Sequence, residues 1–116
     1  NKIILDAYNA NPSSMKEAIN NLMATQSENK YFVLGDMLEL GSESVKEHSE
    51  IIELLIQNNL NGVLVGKEFC KINTKITCFE SNMEAKEYLK DNLVENSLIL
   101  IKGSRGIKLE SVLDVL

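Results

Sequence analysis

A doubly wound α/β domain, with a mostly parallel sheet covered by helices on both faces, is the fold that this sequence predicts. Short β-rich apolar runs alternate with stretches of helical period along the whole chain. Two of the runs, Phe32-Val33-Leu34 and Leu98-Ile99-Leu100-Ile101, are apolar without interruption. A strand that is apolar on both sides is covered on both sides, and right-handed crossovers through the covering helices make such strands parallel. The length, 116 residues, is that of one compact domain with its own core.

The strands are expected at residues 2–6, 31–35, 62–66, 75–79 and 97–102, with about five helices between and after them. The first helix carries Met15, Ala18, Ile19, Leu22 and Met23, the i, i+3, i+4, i+7, i+8 stripe of a helix lying on a sheet. The second is expected from about residue 44 to 60, with Val45, Ile52 and Leu55 on one side. Helix starts are expected at three capping boxes: Ser14 with Glu17, Ser44 with Glu47, and Ser81 with Glu84. No internal repeat, linker or low-complexity stretch interrupts the pattern, and strand order is not encoded in any local signal.

Composition excludes several classes. With 44% hydrophobic and 25% charged residues, one Pro and six Gly, the chain is neither disordered nor fibrous. No apolar run approaches the roughly 20 residues that cross a bilayer, and the first residues lead straight into a strand, so a soluble, cytoplasmic protein is expected. The net charge of −5 resides in the middle segment: residues 31–60 hold one cation, Lys46, against Asp36, Glu39, Glu43, Glu47, Glu50 and Glu53. No basic face for nucleic acid is indicated. Cys70 and Cys78, with His48 the one imidazole, make neither a disulfide framework nor a zinc site. Buried, reduced packing residues are expected at both positions.

Parallel strands place their C-terminal ends on one edge, where ligands of such folds bind. The loops there are Asp6-Ala7-Tyr8-Asn9-Ala10-Asn11-Pro12, Gly35-Asp36-Met37-Leu38-Glu39-Leu40-Gly41, Gly66-Lys67 and Lys102-Gly103-Ser104-Arg105-Gly106. In the first, Asn11 before Pro12 has a structural reading as a helix N-cap. Asp6, Tyr8 and Asn9 in the same turn also read as a polar site, for example around a ribose. The second loop is either a plain surface turn between glycines or an acidic patch that attracts an ammonium group. His48 reads as a partly exposed helix residue rather than a ligand. In the last loop, Lys102 and Arg105 flank small residues, and Gly103 and Gly106 allow backbone N–H groups to face a carboxylate or phosphate. Cations in solvent beside a simple turn are the other reading.

Two motifs fail. Gly62-Val63-Leu64-Val65-Gly66-Lys67-Glu68 is one residue short of a P-loop and has Glu68 where Ser or Thr is required. No G-x-G-x-x-G follows the first strand. Asp6 and Lys102 suit a receiver-like module, but such a module needs an Asp acceptor after the third strand, where Gly66 stands.

The segments Leu5–Met15, Leu34–Gly41 with His48 following, and Ile101–Gly106 together resemble the C-terminal domain of the Mur ligases. The likeness is greatest to the branch that adds D-alanyl-D-alanine to UDP-N-acetylmuramoyl-tripeptide. It implies that residues 1–116 are a single domain, the C-terminal part of a three-domain enzyme whose N-terminal and central ATPase domains lie outside this chain. ATP and Mg2+ are the implied cofactors, with the magnesium ligands in the central domain. No catalytic or metal-binding residue is then expected here, and the chain alone is expected to be inactive. By the same resemblance Asp6 matches an aspartate that binds the ATP ribose, and Tyr8, Asn9 and Asn11 complete the nucleotide motif. Lys102, Ser104, Arg105 and Asp36 match the side that holds the incoming substrate. The implied partners are the two substrates and the enzyme's own central domain, with no nucleic acid or membrane and a monomeric state. The alternatives are a sister Mur ligase with another amino-acid substrate, or a non-catalytic receiver-like module.

Overall fold

The computed structural model describes all 116 residues. Five strands form one parallel sheet: β1 (Lys2–Asp6), β2 (Lys30–Gly35), β3 (Asn61–Val65), β4 (Thr77–Phe79) and β5 (Leu98–Lys102), in the order β1-β5-β2-β3-β4. Between them run α1 (Pro12–Ala24), α2 (Ser44–Gln57), the four-residue α3 (Lys67–Cys70) and α4 (Asn82–Asp91). After β5 the chain continues in 3-10 turns over Arg105–Ile107 and Leu109–Val115, which replace the fifth α-helix expected from the pattern. No helix is long and apolar enough to cross a membrane.

Alternation along the strands builds two cores. Phe32, Leu34, Leu64, Leu98 and Leu100 face one side, where they pack with Met15, Ile19 and Leu22 of α1 and Ile51, Ile52 and Leu55 of α2. Val33, Val63, Val65, Ile99 and Ile101 face the other, with Ala85 and Leu89 of α4 and Leu109 and Val112 of the last 3-10 segment. Each fully buried side chain of this size contributes on the order of 2 kcal/mol. β5 is buried at every position because it lies second in the sheet with layers on both faces, whereas β1, at the edge, leaves Ile4 and Leu5 exposed.

Handedness explains the layering. The steps from β1 to β2 to β3 to β4 proceed in one direction across the sheet, so α1, α2 and α3 share one face. The step from β4 back to β5 reverses direction, which puts α4 on the opposite face. At the C-terminal edge the chain therefore leaves β1 and β2 toward one face and leaves β5, which lies between them, toward the other. That divergence opens the sheet edge on both sides of β5.

Several local expectations are corrected. α1 is capped by Asn11, whose side chain accepts from Ser14 N at 2.9 Å while Ser14 Oγ accepts from Asn11 N, so Ser14 lies inside the helix rather than at its cap. α2 follows a 3-10 turn over Gly41–Glu43, and Ser44 is its first residue with no capping bond. At the third site Ser81 caps α4 by accepting from Glu84 N, but the Glu84 carboxylate accepts from the Ser81 hydroxyl and not from its backbone N–H, so the box is half formed. α2 ends at Gln57, and its buried stripe is Ser44, His48, Ile51, Ile52 and Leu55, which leaves Val45 exposed. β4 is shorter than expected because Ile76 N donates to Thr74 Oγ1 instead of to a neighbouring strand. Cys70 and Cys78 are half-buried and joined as a disulfide, not free thiols in the core. β4 returns beside β3 and sets their Cα atoms 5.8 Å apart, a proximity that counting cysteines along a sequence does not reveal.

Candidate functional site

The loops at the C-terminal edge form two adjoining sets that meet at Ser104. On the β1 side, the strand register pairs Asp6 with Lys102. The Lys102 ammonium, only 2% exposed, forms an ion pair with the Asp6 carboxylate and donates to Asn9 O at 3.2 Å. Asp6 itself is half-exposed, so the pair points one oxygen at solvent from a buried base. Beside it the Arg105 guanidinium lies over the Tyr8 ring, 5.3 Å from its centroid. Tyr8, Asn9 and Arg105 are exposed, while Asn11 is committed to capping α1.

Gly103 is not available as a ligand-facing N–H, because it donates to Asp6 O at 3.4 Å. Its lack of a side chain serves close packing: a Cβ there would come within 3.0 Å of Gly35 Cα and 2.9 Å of Leu109 Cδ1. Ser104, also buried, joins the two sets. Its N–H donates to Asp36 O at 3.0 Å, and its Oγ accepts from Leu38 N at 3.0 Å.

On the β2 side, Asp36 turns inward. It is 2% exposed, and its two carboxylate oxygens accept from Glu68 N at 2.8 Å and Phe69 N at 2.9 Å in the first turn of α3. This corrects the picture of Asp36 as a surface carboxylate: it anchors the loop that follows. His48 is corrected likewise, from partly exposed to fully buried. Its Nδ1 donates to Ser44 O at 2.7 Å, which leaves Nε2 free to accept from Met37 N at 3.1 Å. Ser44 Oγ donates to Glu68 Oε1 at 2.6 Å, and Lys71 holds Oε2 at 2.7 Å. Sequence reading missed Ser44 and Glu68. The i, i+4 spacing of Ser44 and His48 on the α2 face that carries Ile52 and Leu55 was the available signal.

Between these anchors the loop over residues 37–41 lines a cleft of about 450 Å³ with Lys67, Glu68, Glu80 and Ile107. Leu38, Leu40 and Ile107 give it apolar walls, while one ammonium and several carboxylates lie along it. A cleft of this kind suits a small ligand with methyl groups and charges of both signs. A larger groove of about 810 Å³ lies at the opposite edge of the sheet. Asparagines such as Asn29, Asn58 and Asn61 line it, and burial pushes its Tyr31 phenol up to about 12.

The carboxylates around Ser44 and His48 shift in opposite directions. Burial raises Asp36 above its ordinary 3.8 despite the two N–H bonds, whereas the Lys71 and Ser44 bonds lower Glu68 below 4.5. Ionised Asp36 therefore costs stability, a cost absent below its unfolded value and complete above the raised one. Ionised Glu68 adds stability above its unfolded value and loses it as the pH falls through the lowered one. A carboxyl-carbon NMR titration should find Asp36 taking up its proton at a higher pH than in the unfolded chain, and Glu68 at a lower one. An Asp36 midpoint below its unfolded value would mean that the α3 N–H groups outweigh burial there.

No three His, Cys, Asp or Glu side chains gather closely enough to hold a metal ion.

Residues 1–105 match the family profile described as Mur ligase, glutamate ligase domain. Among curated proteins, the UDP-N-acetylmuramoyl-tripeptide–D-alanyl-D-alanine ligase of Rickettsia prowazekii is 34% identical over 120 residues, covering 97% of this chain and 27% of the relative. The enzyme of the same name from Bacillus subtilis is 34% identical over 121 residues, covering 95% and 26%. A crystal structure of MurF from Acinetobacter baumannii superposes with a TM-score of 0.80 at 31% identity, over 97% of this chain and 26% of that one. MurF ligase from Thermotoga maritima, in complex with ADP, gives 0.79 at 29% identity, over 97% and 27%. The chain spans about a quarter of the length of the relatives it matches.

Proposed function

The chain belongs to the Mur ligase family, and from that membership we propose that it is the C-terminal, substrate-carrying domain of a three-domain ligase that joins D-alanyl-D-alanine to UDP-N-acetylmuramoyl-tripeptide with ATP. The observation that carries this reading is the meeting, at Ser104, of an Asp6–Lys102 and Tyr8–Arg105 cluster with an amphiphilic cleft. A domain that brings nucleotide and amine together needs two such neighbouring surfaces. The MurF relatives, one of them solved with ADP, support the same assignment.

In the proposed reaction ATP phosphorylates the tripeptide carboxylate. The dipeptide amine then attacks the acyl phosphate, the new amide bond forms and phosphate leaves. Magnesium, whose ligands the reading assigns to the central domain, has no part in the steps assigned to this chain. Asp6, fixed by Lys102, presents an oxygen to the ribose hydroxyls, and Tyr8 with Asn9 borders the nucleotide. Asn11 contributes by fixing the start of α1, which holds that turn in shape. Arg105, the exposed cation of the last loop, receives the dipeptide carboxylate, and the apolar walls of the cleft take its methyl groups. Lys102 and Ser104 hold the loops in register, and Asp36 anchors the cleft wall. Closure of this domain over the central one excludes water from the acyl phosphate while the amine is oriented.

The test is an amide-resolved NMR titration of this chain with D-alanyl-D-alanine, L-alanyl-L-alanine and ATP. Shifts at Leu38, Leu40 and Arg105 that are larger with the D,D-dipeptide support the reading. Equal shifts with both dipeptides count against it. In the complete ligase, Arg105→Ala should raise the KM for the dipeptide by about tenfold or more with kcat little changed, the loss of one charge-assisted contact made before the chemical step. An unchanged KM would remove Arg105 from the acceptor site.

A further inference from the structure

We propose that His48 is the positioning residue of the 37–41 loop, setting the wall of the cleft through the Met37 amide; as a statement about an acceptor site it rests on the function proposed above. The ring touches no ligand surface, since it is fully buried. What it holds is the first backbone N–H after the Asp36 anchor, at 3.1 Å. From Met37 the chain turns outward through Leu38 and Glu39, and Glu39 and Gly41 both adopt left-handed backbone conformations, with φ of 63° and 57°. A loop with two such residues has few intrinsic preferences for its observed path, so its ends must be fixed from outside.

The ends are fixed by His48 at Met37, Ser104 at Leu38 and the 3-10 turn over Gly41–Glu43. Of these only the His48 contact can change its sign. In the neutral ring, Nδ1–H is committed to Ser44 O, so Nε2 carries a lone pair toward Met37 N–H. When Nε2 takes up a proton, two donors face each other and the Met37 contact is lost. The Asp36 carboxylate, with Oδ1 4.0 Å from Nε2, then receives the new N–H. The charged groups that face the ring are Asp36 from the loop after β2 and Glu68 from α3, the latter through the Ser44 hydroxyl. The Phe69 ring, edge-on with centroids 4.6 Å apart, closes the remaining side without charge.

The experiment compares the chain with His48→Gln, whose amide oxygen can stand near the Nε2 position and accept from Met37 N–H, and with His48→Leu, which fills the space without an acceptor. In the wild type, protonation of the His48 ring, followed by its own ring signals, should move the Met37 and Leu38 amide shifts in step with it. In His48→Gln that transition should vanish while Met37 exchange protection stays within about threefold of wild type. In His48→Leu protection should fall by about tenfold or more, the loss of one buried acceptor. Should His48→Gln lose as much protection as His48→Leu, or the Met37 shift ignore the ring's titration, the positioning role is wrong. Adding D-alanyl-D-alanine separates the two proposals: absence of dipeptide shifts in a wild-type loop that follows His48 overturns the acceptor reading and upholds the positioning one.

Discussion

Gly66→Ala should lower the melting temperature by about 15–25 °C, from a loss on the order of 4 kcal/mol. Gly66 has φ 127° and ψ 158°, a conformation open to almost no other residue, which by itself costs about 1–3 kcal/mol on substitution. The added Cβ would stand 2.2 Å from Asp36 Cγ and 2.4 Å from each carboxylate oxygen. Asp36 cannot yield cheaply. Its oxygens hold Glu68 N and Phe69 N, its own N–H donates to Val65 O, and its carbonyl accepts from Ser104 N. Displacing the carboxylate would orphan two N–H groups of α3 at about 1–3 kcal/mol each. Gly41→Ala is the control: φ is 57°, but nothing lies within 4 Å of the added atom, so the cost should stay near 1 kcal/mol. Urea and thermal unfolding of the two variants would measure the contrast. A Gly66→Ala protein that melts within a few degrees of wild type would show that Asp36 is not the fixed anchor described above.

The same residue illustrates what a sequence reader can and cannot see. In the sequence Gly66 reads as the end of a failed P-loop, because the local string Gly66-Lys67-Glu68 invites comparison with phosphate cradles. Its reason lies 30 residues away in Asp36, and only the pairing of β2 with β3 brings the two together. The strand periodicity was legible, since alternation is a local property: β1 has its predicted bounds, β2 and β5 differ from theirs by one residue at one end, and β3 is shifted by one residue at both. The parallel sense and the two helical layers followed from the apolar runs. The order β1-β5-β2-β3-β4 did not, because nothing local distinguishes a strand inserted between two others from one added at an edge. Polar residues on an inward helix stripe misled the pattern in the opposite way. Ser44 and His48 are buried because they satisfy one another, Met37 and Glu68, and a scale that ranks them by polarity turns α2 toward Val45 instead. For the edge residues, the family resemblance assigns Asp6 to the nucleotide and Lys102 to the incoming substrate, and the strand register sets the two side chains side by side.

That junction leads to an asymmetric prediction. Asp6→Ala should destabilise the domain by about 2–3 kcal/mol, whereas Lys102→Met should cost about 1 kcal/mol or less. The two substitutions delete the same ion pair, so a tally of contacts would expect equal effects. The difference lies in what remains. Without Asp6, an ammonium 2% exposed keeps only the Asn9 carbonyl, and an unpaired buried charge is strongly unfavourable. The estimate is set below the fully buried range because the Asp6 side chain is 51% exposed and water already screens the pair. Without Lys102, that carboxylate simply hydrates, and the Met side chain recovers the buried methylene packing. The double variant Asp6→Ala/Lys102→Met should therefore be more stable than Asp6→Ala alone, and unfolding of the three variants forms the cycle that tests it. A double variant no more stable than Asp6→Ala would mean that Lys102 finds water or another partner once its own is removed. The cycle also decides how a ligase assay is to be interpreted. Asp6→Ala should raise the KM for ATP under the proposed ribose contact, but part of that rise would come from a β1 loop displaced by an uncompensated lysine. If the raised KM persists in the double variant, where no buried charge is left unpaired, the nucleotide contact itself has been lost; if it returns to the wild-type value, Asp6 serves Lys102 and not the ribose.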